Sequence, residues 1–480
     1  MSAGEADFGV EISKGVIAKF AMAAIGFAGA VIFARDLGPD GYGAFYVVLT
    51  LVNVLDNPIT GWGVACKKRI SETGFPTNEA LGSGLIGAVV LPLTILPAVY
   101  VANRLVGPNG LSELLFPFSV LFVVLGFFKV TNRVLSARSN FSSAEWADTL
   151  RSLFTTPLQL VFVVLLGFGA AGMIYGVTVA TALTVPYVLY RIGIKPASPS
   201  RESLSSIASY AKFSIPNGFI GTTKSRMDIL LLWALISRSA VGKYQVSMQL
   251  TMAGTFIGGV ASMGLMARVS EYWSQNDSAA IVNDVRNSVG YASILAIPIF
   301  FGAAAMPNDL LVTVFGSEYS GIGSVLVGLA LFRAIAQQSS QLKSTIAGLD
   351  RPDINTRIGF LVLVLNVGLG YVLLLEYGIV GVVVATVISE IVQYTILAYT
   401  IKQQLPEVPL FARPLQHQLL VGAVMYLLVD RLHTMTGVSW WGELLVLIGV
   451  GGLVYFTGLT AISESFRATV RGVLSDARAS

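Results

Sequence analysis

Apolar residues run through this chain in long stretches, with neither the strict alternation of a half-buried strand nor the narrow one-sided stripe of a surface helix. Residues 16–34, 114–128 with their flanks, 288–306 and 358–375 reach about the 20 residues that cross a bilayer core. About fourteen such spans can be counted, beginning near Gly15, Tyr42, Ala80, Leu111, Trp146, Gly172, Tyr210, Ala240, Ser288, Gly321, Ile358, Gly378, Leu415 and Trp440. The pattern predicts an all-α, polytopic membrane protein.

The halves of the chain repeat one another. Arg69-Ile70-Ser71-Glu72 returns as Arg268-Val269-Ser270-Glu271, each after an apolar stretch and before a polar loop. Gly41-Tyr42 matches Gly242-Lys243-Tyr244, and Gly169-Ala170-Ala171-Gly172 matches Gly378-Ile379-Val380-Gly381. After these, Val177-Thr178-Val179-Ala180 pairs loosely with Val382-Val383-Val384-Ala385. Duplicated hydrophobic halves mark transporters, in which two bundles rock around a site at their interface. Six spans fall in each half, an even number, so the repeats are expected to run parallel about an axis along the membrane normal. The expected division is an N-lobe in residues 1–194, a cytoplasmic linker in 195–209, a C-lobe in 210–404, and two unmatched spans with a cytoplasmic tail in 405–480. Within the linker, Ser198 before Pro199 reads as a helix N-cap and first helical residue. Leu204, Ile207 and Ala211 share a face, which predicts a short helix on the inner surface.

Composition agrees with a lipid solvent. Of 480 residues 54% are hydrophobic and 12% charged, and mean hydropathy is +0.73, too little polar surface to solvate a globule of this size. Of 31 Lys and Arg, five (Arg35, Arg104, Arg238, Lys243, Arg431) fall in one alternate set of loops. Four (Lys19, Lys224, Arg226, Arg333) fall inside spans, leaving 22 in the opposite set, among them Lys67, Lys68, Arg69, Lys129, Arg133 and Arg138. Basic loops stay cytoplasmic, so both termini are expected inside the cell membrane. The same bias accounts for the net charge of +4 without nucleic acid. Glu5, Asp7 and Glu11 make the amino terminus unlike a cleaved signal. One cysteine, Cys66, excludes an internal disulfide, and its place beside Lys67 puts it within reach of thiol reagents from the reducing side. Two distant histidines, His417 and His433, offer no metal cluster, and no phosphate-binding glycine loop is present; no cofactor is expected.

Most of the chemistry falls in the seventh span. Lys224, Arg226 and Asp228 interrupt its apolar residues, each costing roughly 2.5–3.5 kcal/mol at a helix centre against roughly 0.3–0.6 gained per large apolar residue. Asn217, Gly221, Lys224 and Asp228 follow one helical stripe, which must face protein or a water-filled cavity. Lys224 and Asp228, four apart, can neutralise one another. Arg226 projects elsewhere and is the sharper candidate for an anionic ligand. Further embedded polar groups are Asn53, Asp56 and Asn57, followed by Pro58, which should bend the second span; Arg333, ahead of Gln337, Gln338 and Gln341; Glu390; and Lys19, placed to snorkel or to face a lumen. Asp56 and Glu390 could carry a coupling proton; structural hydrogen bonding is the equal alternative for Arg333 and Glu390.

Residues 34–43, Ala-Arg-Asp-Leu-Gly-Pro-Asp-Gly-Tyr-Gly, resemble the A-R-x-L-G-P-x-x-Y-G stretch of Wzx-type polysaccharide and lipid-linked oligosaccharide flippases. Phe213-Ser214-Ile215-Pro216, Asp228-Ile229-Leu230-Leu231 and Val241-Gly242-Lys243-Tyr244 look like that family's seventh-to-eighth span pattern, so the resemblance covers almost the whole chain. It places the chain in the superfamily that also holds the lipid II flippases and the MATE multidrug exporters. It implies two lobes around a cavity lined by spans 1, 2, 7 and 8, in which Lys224, Arg226 and Lys19 meet the diphosphate or acidic sugars of a polyprenyl-linked glycan. It also implies a monomer in contact with membrane lipid and glycan polymerase or transferase machinery, with no catalytic residue. A cation-coupled drug exporter is the rival, but it would prefer an acidic first span, and residues 16–34 contain no acid. A membrane glycosyltransferase would want closely spaced acids near the outer face; Asp350-Arg351-Pro352-Asp353 has the wrong spacing and the wrong side.

Overall fold

The structure is a computed structural model that describes residues 3–72, 74–106, 111–138, 141–468 and 471, with the side chains of 3–21, 105, 106 and 141 outside the description. In chain order its helices are α1 (Ala3–Leu55), α2 (Asn57–Ile70), α3 (Thr77–Val106), α4 (Leu115–Ala137), α5 (Phe141–Leu160), α6 (Gly169–Ile192), α7 (Arg201–Leu235) and α8 (Arg238–Thr251). They continue with α9 (Phe256–Ser274), α10 (Ser278–Tyr291), α11 (Ala296–Ala305), α12 (Pro307–Phe315), α13 (Gly323–Gly348), α14 (Pro352–Gln404), α15 (Arg413–Thr436) and α16 (Trp441–Ile462). No strand forms among the described residues.

Two elements are too long for one crossing. A straight helix of 53 residues would run ~80 Å, against a hydrocarbon layer of ~30 Å. A glycine in the left-handed region breaks each of them, Gly38 (φ 61°) in α1 and Gly378 (φ 58°) in α14. There a side chain would be strained, so glycine is the residue that lets the chain turn and continue as a second helix.

The duplication reappears in backbone conformation. Gly169 (φ 57°) and Gly378 (φ 58°), matched in sequence, both take a left-handed φ. Three residues on, Gly172 and Gly381 lie so close to the carbonyls of Phe162 and Leu373 on the preceding helix that neither has room for a Cβ. One glycine supplies the turn and the other the close approach.

Nine helical segments among the described residues are long and apolar enough to cross a membrane. Helices α5, α7 and α13 have the length but too many polar groups to be counted with them.

The chain forms two compact units. One is Val10–Gly242. In it α2 packs against α3, α4 and α7, and α4 and α5 pack against α6. Ala65 and Cys66 on α2 meet Ile207 and Ala211 on α7 in a buried cluster edged by Trp62, Phe75, Tyr210 and Ile215. The seam is close: Gly61 abuts the backbone of Ile215, and the Ser214 hydroxyl donates to the Gly61 carbonyl at 2.8 Å. Arg69 extends it by donating to the Ser206 carbonyl at 3.0 and 3.1 Å and to Ser209 Oγ at 2.9 Å. Because α7 is held to α2 in this way, the unit runs past the linker at 195–209 to Gly242.

The linker helix expected at Ser198 is not separate. Ser200 is the N-cap: its Oγ accepts from the Ser203 N–H, and its own N–H and hydroxyl donate to Glu79 at the start of α3. From Arg201 the helix continues unbroken into the seventh span. The expected face holds, with Ile207 and Ala211 buried. Cys66 requires a second correction, since it is fully buried under α7 and so closed to reagents from either side.

The other unit is Lys243–Ser480 together with Met1–Gly9. One buried core of it gathers Leu265 and Val269 of α9, Val285 and Val289 of α10, Leu342 and Ile346 of α13, and Ile358 and Ile401 from the two parts of α14. Arg268, the repeat partner of Arg69, donates to Asp284 on α10 at 2.6 Å.

Two outcomes are expected of the folded protein. Gly381→Ala should lower its thermal midpoint in detergent by the equivalent of about 1–3 kcal/mol, whereas Gly449→Ala, with open space around its Cβ position, should not. Cys66 should resist maleimide until the protein is denatured; labelling of the native protein would mean that α7 does not cover it.

Candidate functional site

A polar junction of the first unit lies where α1 gives way to α2. Pro58 has no N–H, so the carbonyl of Val54 loses its helical donor. Asn57 replaces it: its side-chain amide donates to Val54 O at 2.8 Å and to Asn53 O at 3.1 Å. Asp56 occupies the junction itself, 2% exposed. Lys129 of α4 reaches in to it, with Nζ 2.5 Å from Asp56 Oδ2 and 3.1 Å from Asn53 Oδ1. Thr222 of α7 donates to Asn57 Oδ1 at 3.2 Å. Two other helices, α4 and α7, therefore converge on one helix break.

Neither member of the ion pair is tolerable alone. A carboxylate this deeply buried needs a cation and hydrogen bonds, and removing one partner of such a pair costs about 3–5 kcal/mol because the other charge is left stranded. The arrangement pins α4 to the break in α1–α2. It also sets a carboxylate and an ammonium group at the place where the helix is least regular.

Helix α7 has two distinct faces. Ile215, Gly218 and Thr222 pack toward α2, with the Cβ position of Gly218 only 3.1 Å from Asn57 Oδ1. The predicted stripe is turned roughly 120° away at 3.6 residues per turn, and along it Asn217, Gly221 and Lys224 are exposed while Asp228 is half-buried. Lys224 and Asp228 both have interaction partners. Arg226, half-buried, points away from the stripe.

Arg333 and Glu390 belong to the second unit. Arg333 sits on α13 with Nη2 3.8 Å from Met248 Sδ and the guanidinium 5.7 Å from the Phe332 ring centre, and its Nε is buried without a hydrogen-bond partner. Glu390, buried on α14, accepts from Gln393 at 2.9 Å. The glutamines near Arg333 bond within the protein: Gln341 donates to the Gly258 carbonyl at 2.9 Å and Gln338 to the Ser293 hydroxyl at 2.8 Å. Lys19 falls within α1, but its side chain lies outside the described residues.

Of the expected site residues, Asn53 and Asp56 are thus brought together. Lys129 and Thr222 complete their cluster and were not anticipated. Lys129 follows the apolar run 114–128 directly and reads as a cytoplasmic loop cation, but α4 continues another two turns beyond it and carries it into the protein.

Residues 32–323 match the model of a family described as polysaccharide biosynthesis protein. Over 461 residues the chain is 26% identical to the "Probable low-salt glycan biosynthesis flippase Agl15" of Haloferax volcanii, covering 94% of this chain and 95% of that protein. It is 24% identical over 469 residues to the same organism's "Probable flippase AglR", with the same coverage. Among solved structures, the lipid II flippase MurJ in an inward closed conformation superposes with a TM-score of 0.78 at 14% identity, over 95% of this chain and 99% of that one. An inward-facing MATE multidrug transporter gives 0.62 at 16% identity over 81% and 98%. The fold is that of these transporters.

Lys129→Ala should destabilise the protein by about 3–5 kcal/mol, read as a fall in folded yield and thermal midpoint. Adding Asp56→Asn should restore part of that loss, and equal stability of the single and double variants would show that the pair is not what holds α4.

Proposed function

The chain belongs to the polysaccharide biosynthesis protein family, and from that premise we propose that it is a flippase carrying a polyprenyl-phosphate-linked glycan from the inner to the outer leaflet of the cell membrane. The observation that carries this reading is the similarity along nearly the whole chain to two proteins named as flippases. The fold supports it, since MurJ superposes on more of the chain, and more closely, than the MATE transporter does.

In this reading fourteen crossings arise from the nine apolar segments, the breaks at Gly38 and Gly378 that double two of them, and α5, α7 and α13. Both termini are cytoplasmic, and the spans divide into two parallel sets of six with α15 and α16 appended. The protein works without catalysis or cofactor, as a monomer that exchanges cargo with the bilayer and hands it to glycan polymerase or transferase machinery.

The cargo head is a phosphate or diphosphate, so its ligands must be cations. Arg226 supplies a planar fork suited to two phosphate oxygens and Lys224 a point charge. Both stand on α7, a span whose polar groups apolar lipid would reject. Asn217 offers the exposed stripe a neutral hydrogen-bonding group, and Lys19 and Arg333 are the further cations proposed to meet the cargo. Asp228 balances Lys224. Asp56 and Glu390 are the carboxylates proposed to couple transport to a proton, with Asn53 holding Lys129 beside Asp56 while it changes charge.

Export is read as glycan arriving at the cell surface. Arg226→Ala should abolish it while leaving folded protein in the membrane, and normal export by that variant would take Arg226 out of the cargo site. Cells lacking the protein should accumulate lipid-linked glycan facing the cytoplasm with unaltered sensitivity to cationic drugs; the opposite pair of results would favour the drug exporter.

A further inference from the structure

In the first unit a cavity of about 500 Å³ opens between α3 and the helices α1, α4 and α7. On α3 its wall is made of small side chains four residues apart, Thr94, Ala98 and Ala102, which leave room where larger residues would close the gap. Leu51, Leu55 and Phe118 line the other sides. Pro97 lies on the same stretch of α3 and interrupts its hydrogen-bond ladder. At the end where α3 gives way to α4 the lining turns polar. Asn103 accepts from the Leu111 N–H at 2.7 Å and donates to Ser112 Oγ at 3.0 Å. Trp233, two residues before the end of α7, lines the cavity too, and tryptophan is enriched at the level of a membrane interface.

Water does not suit such a space. A buried water needs about two to four polar partners, whereas the Thr94 hydroxyl already donates to the Leu91 carbonyl at 2.8 Å and Asn103 is engaged by Leu111 and Ser112. An empty cavity would forfeit dispersion contacts along its walls. Hydrocarbon, which surrounds every membrane span, fits both the walls and the depth. From Asn103 to Thr94 the cavity follows nine residues of α3, ~14 Å at ~1.5 Å per residue, or about half of a ~30 Å hydrocarbon layer. That depth takes one chain of a lipid lying in one leaflet, and a polyprenyl tail would outrun it. The headgroup of such a lipid then sits at the polar end. There Arg104 follows Asn103, exposed and in no ion pair among the described residues, while the carboxylate of Glu113 is taken up by Arg238. Arg104 is left to meet a phosphate.

We propose that this cavity is a lipid site, holding one hydrocarbon chain of an anionic membrane phospholipid with its phosphate at Arg104. The chain fills the gap beside α3 and holds that helix to the rest of the unit. The site requires only that the unit span a membrane, and it stands whether or not the protein is a flippase.

The test adds dioleoyl phosphatidylglycerol or dioleoyl phosphatidylcholine to the purified whole protein and reads retained lipid by native mass spectrometry, under activation that strips loosely held molecules. The unaltered protein should keep one phosphatidylglycerol and several-fold less phosphatidylcholine; keeping neither would overturn the site. Ala98→Phe, which fills the cavity, should keep neither lipid while staying folded, and Arg104→Gln should keep the two lipids alike. Retention of phosphatidylglycerol by Ala98→Phe at the unaltered level would place the lipid elsewhere and overturn the site. An undiminished preference in Arg104→Gln would overturn the headgroup contact. Displacement of the phospholipid by undecaprenyl phosphate would make a cargo-like lipid the occupant and overturn a resident phospholipid. Should Ala98→Phe fail to fold, the emission lost in Trp233→Phe isolates Trp233 in the unaltered protein. Phosphatidylglycerol brominated along its chains should quench that emission, and unquenched emission would overturn the site.

Discussion

Hydrocarbon offers no water to take up a loose hydrogen bond, and the irregular places in this molecule answer to that constraint. At several irregular places a side-chain amide takes up a backbone carbonyl. Asn57 covers the carbonyls exposed by Pro58. Gln341 takes the carbonyl of Gly258, near the start of α9, Gln418 takes that of Gly290, near the end of α10, and Gln159 takes that of Met173 beside the irregular turn after α5. Amides suit this duty because they carry donors and acceptors without charge. The buried glutamines therefore belong to the backbone more than to any ligand, and they let the charged groups be considered separately.

The arrangement of charge differs between the units. In the first, the buried carboxylate of Asp56 is answered by Lys129 across two elements. In the second, Glu390 is answered by a neutral amide one turn along its own helix. The first therefore depends on α4 keeping its position relative to the break, and the second depends only on local helix geometry.

The sequence disclosed the long apolar helices and the break beside Pro58, because each is written in local residue types: apolar length, a missing N–H. It disclosed less about the cluster at Asp56. Lys129 stands at the end of an apolar run, where a membrane-facing cation and a loop cation look alike, and only the length of α4 decides between them. Thr222 is one hydroxyl among many. The start of α7 was misplaced by two residues because Ser-Pro and Ser-Arg-Glu-Ser both resemble N-caps, and the choice is made by Glu79, which reaches Ser200 from a different helix. Cys66 beside Lys67 looked like an edge position, and it is the distant segment around Ile207 that covers it.

The seam between α2 and α7 has a consequence for the order in which the chain takes shape. Arg69 and Ser206 are 137 residues apart, so α2 leaves the ribosome long before the helix that covers its Gly61 face. During that interval four further helices are made and the face has no partner within the protein. A membrane protein inserted from its amino end must therefore keep α2 provisionally docked, by lipid or by a neighbouring helix, until α7 arrives to close the unit. Folding of the first half is in this sense completed by the opening segment of the second repeat, and the two copies of the duplicated sequence do not mature as independent modules.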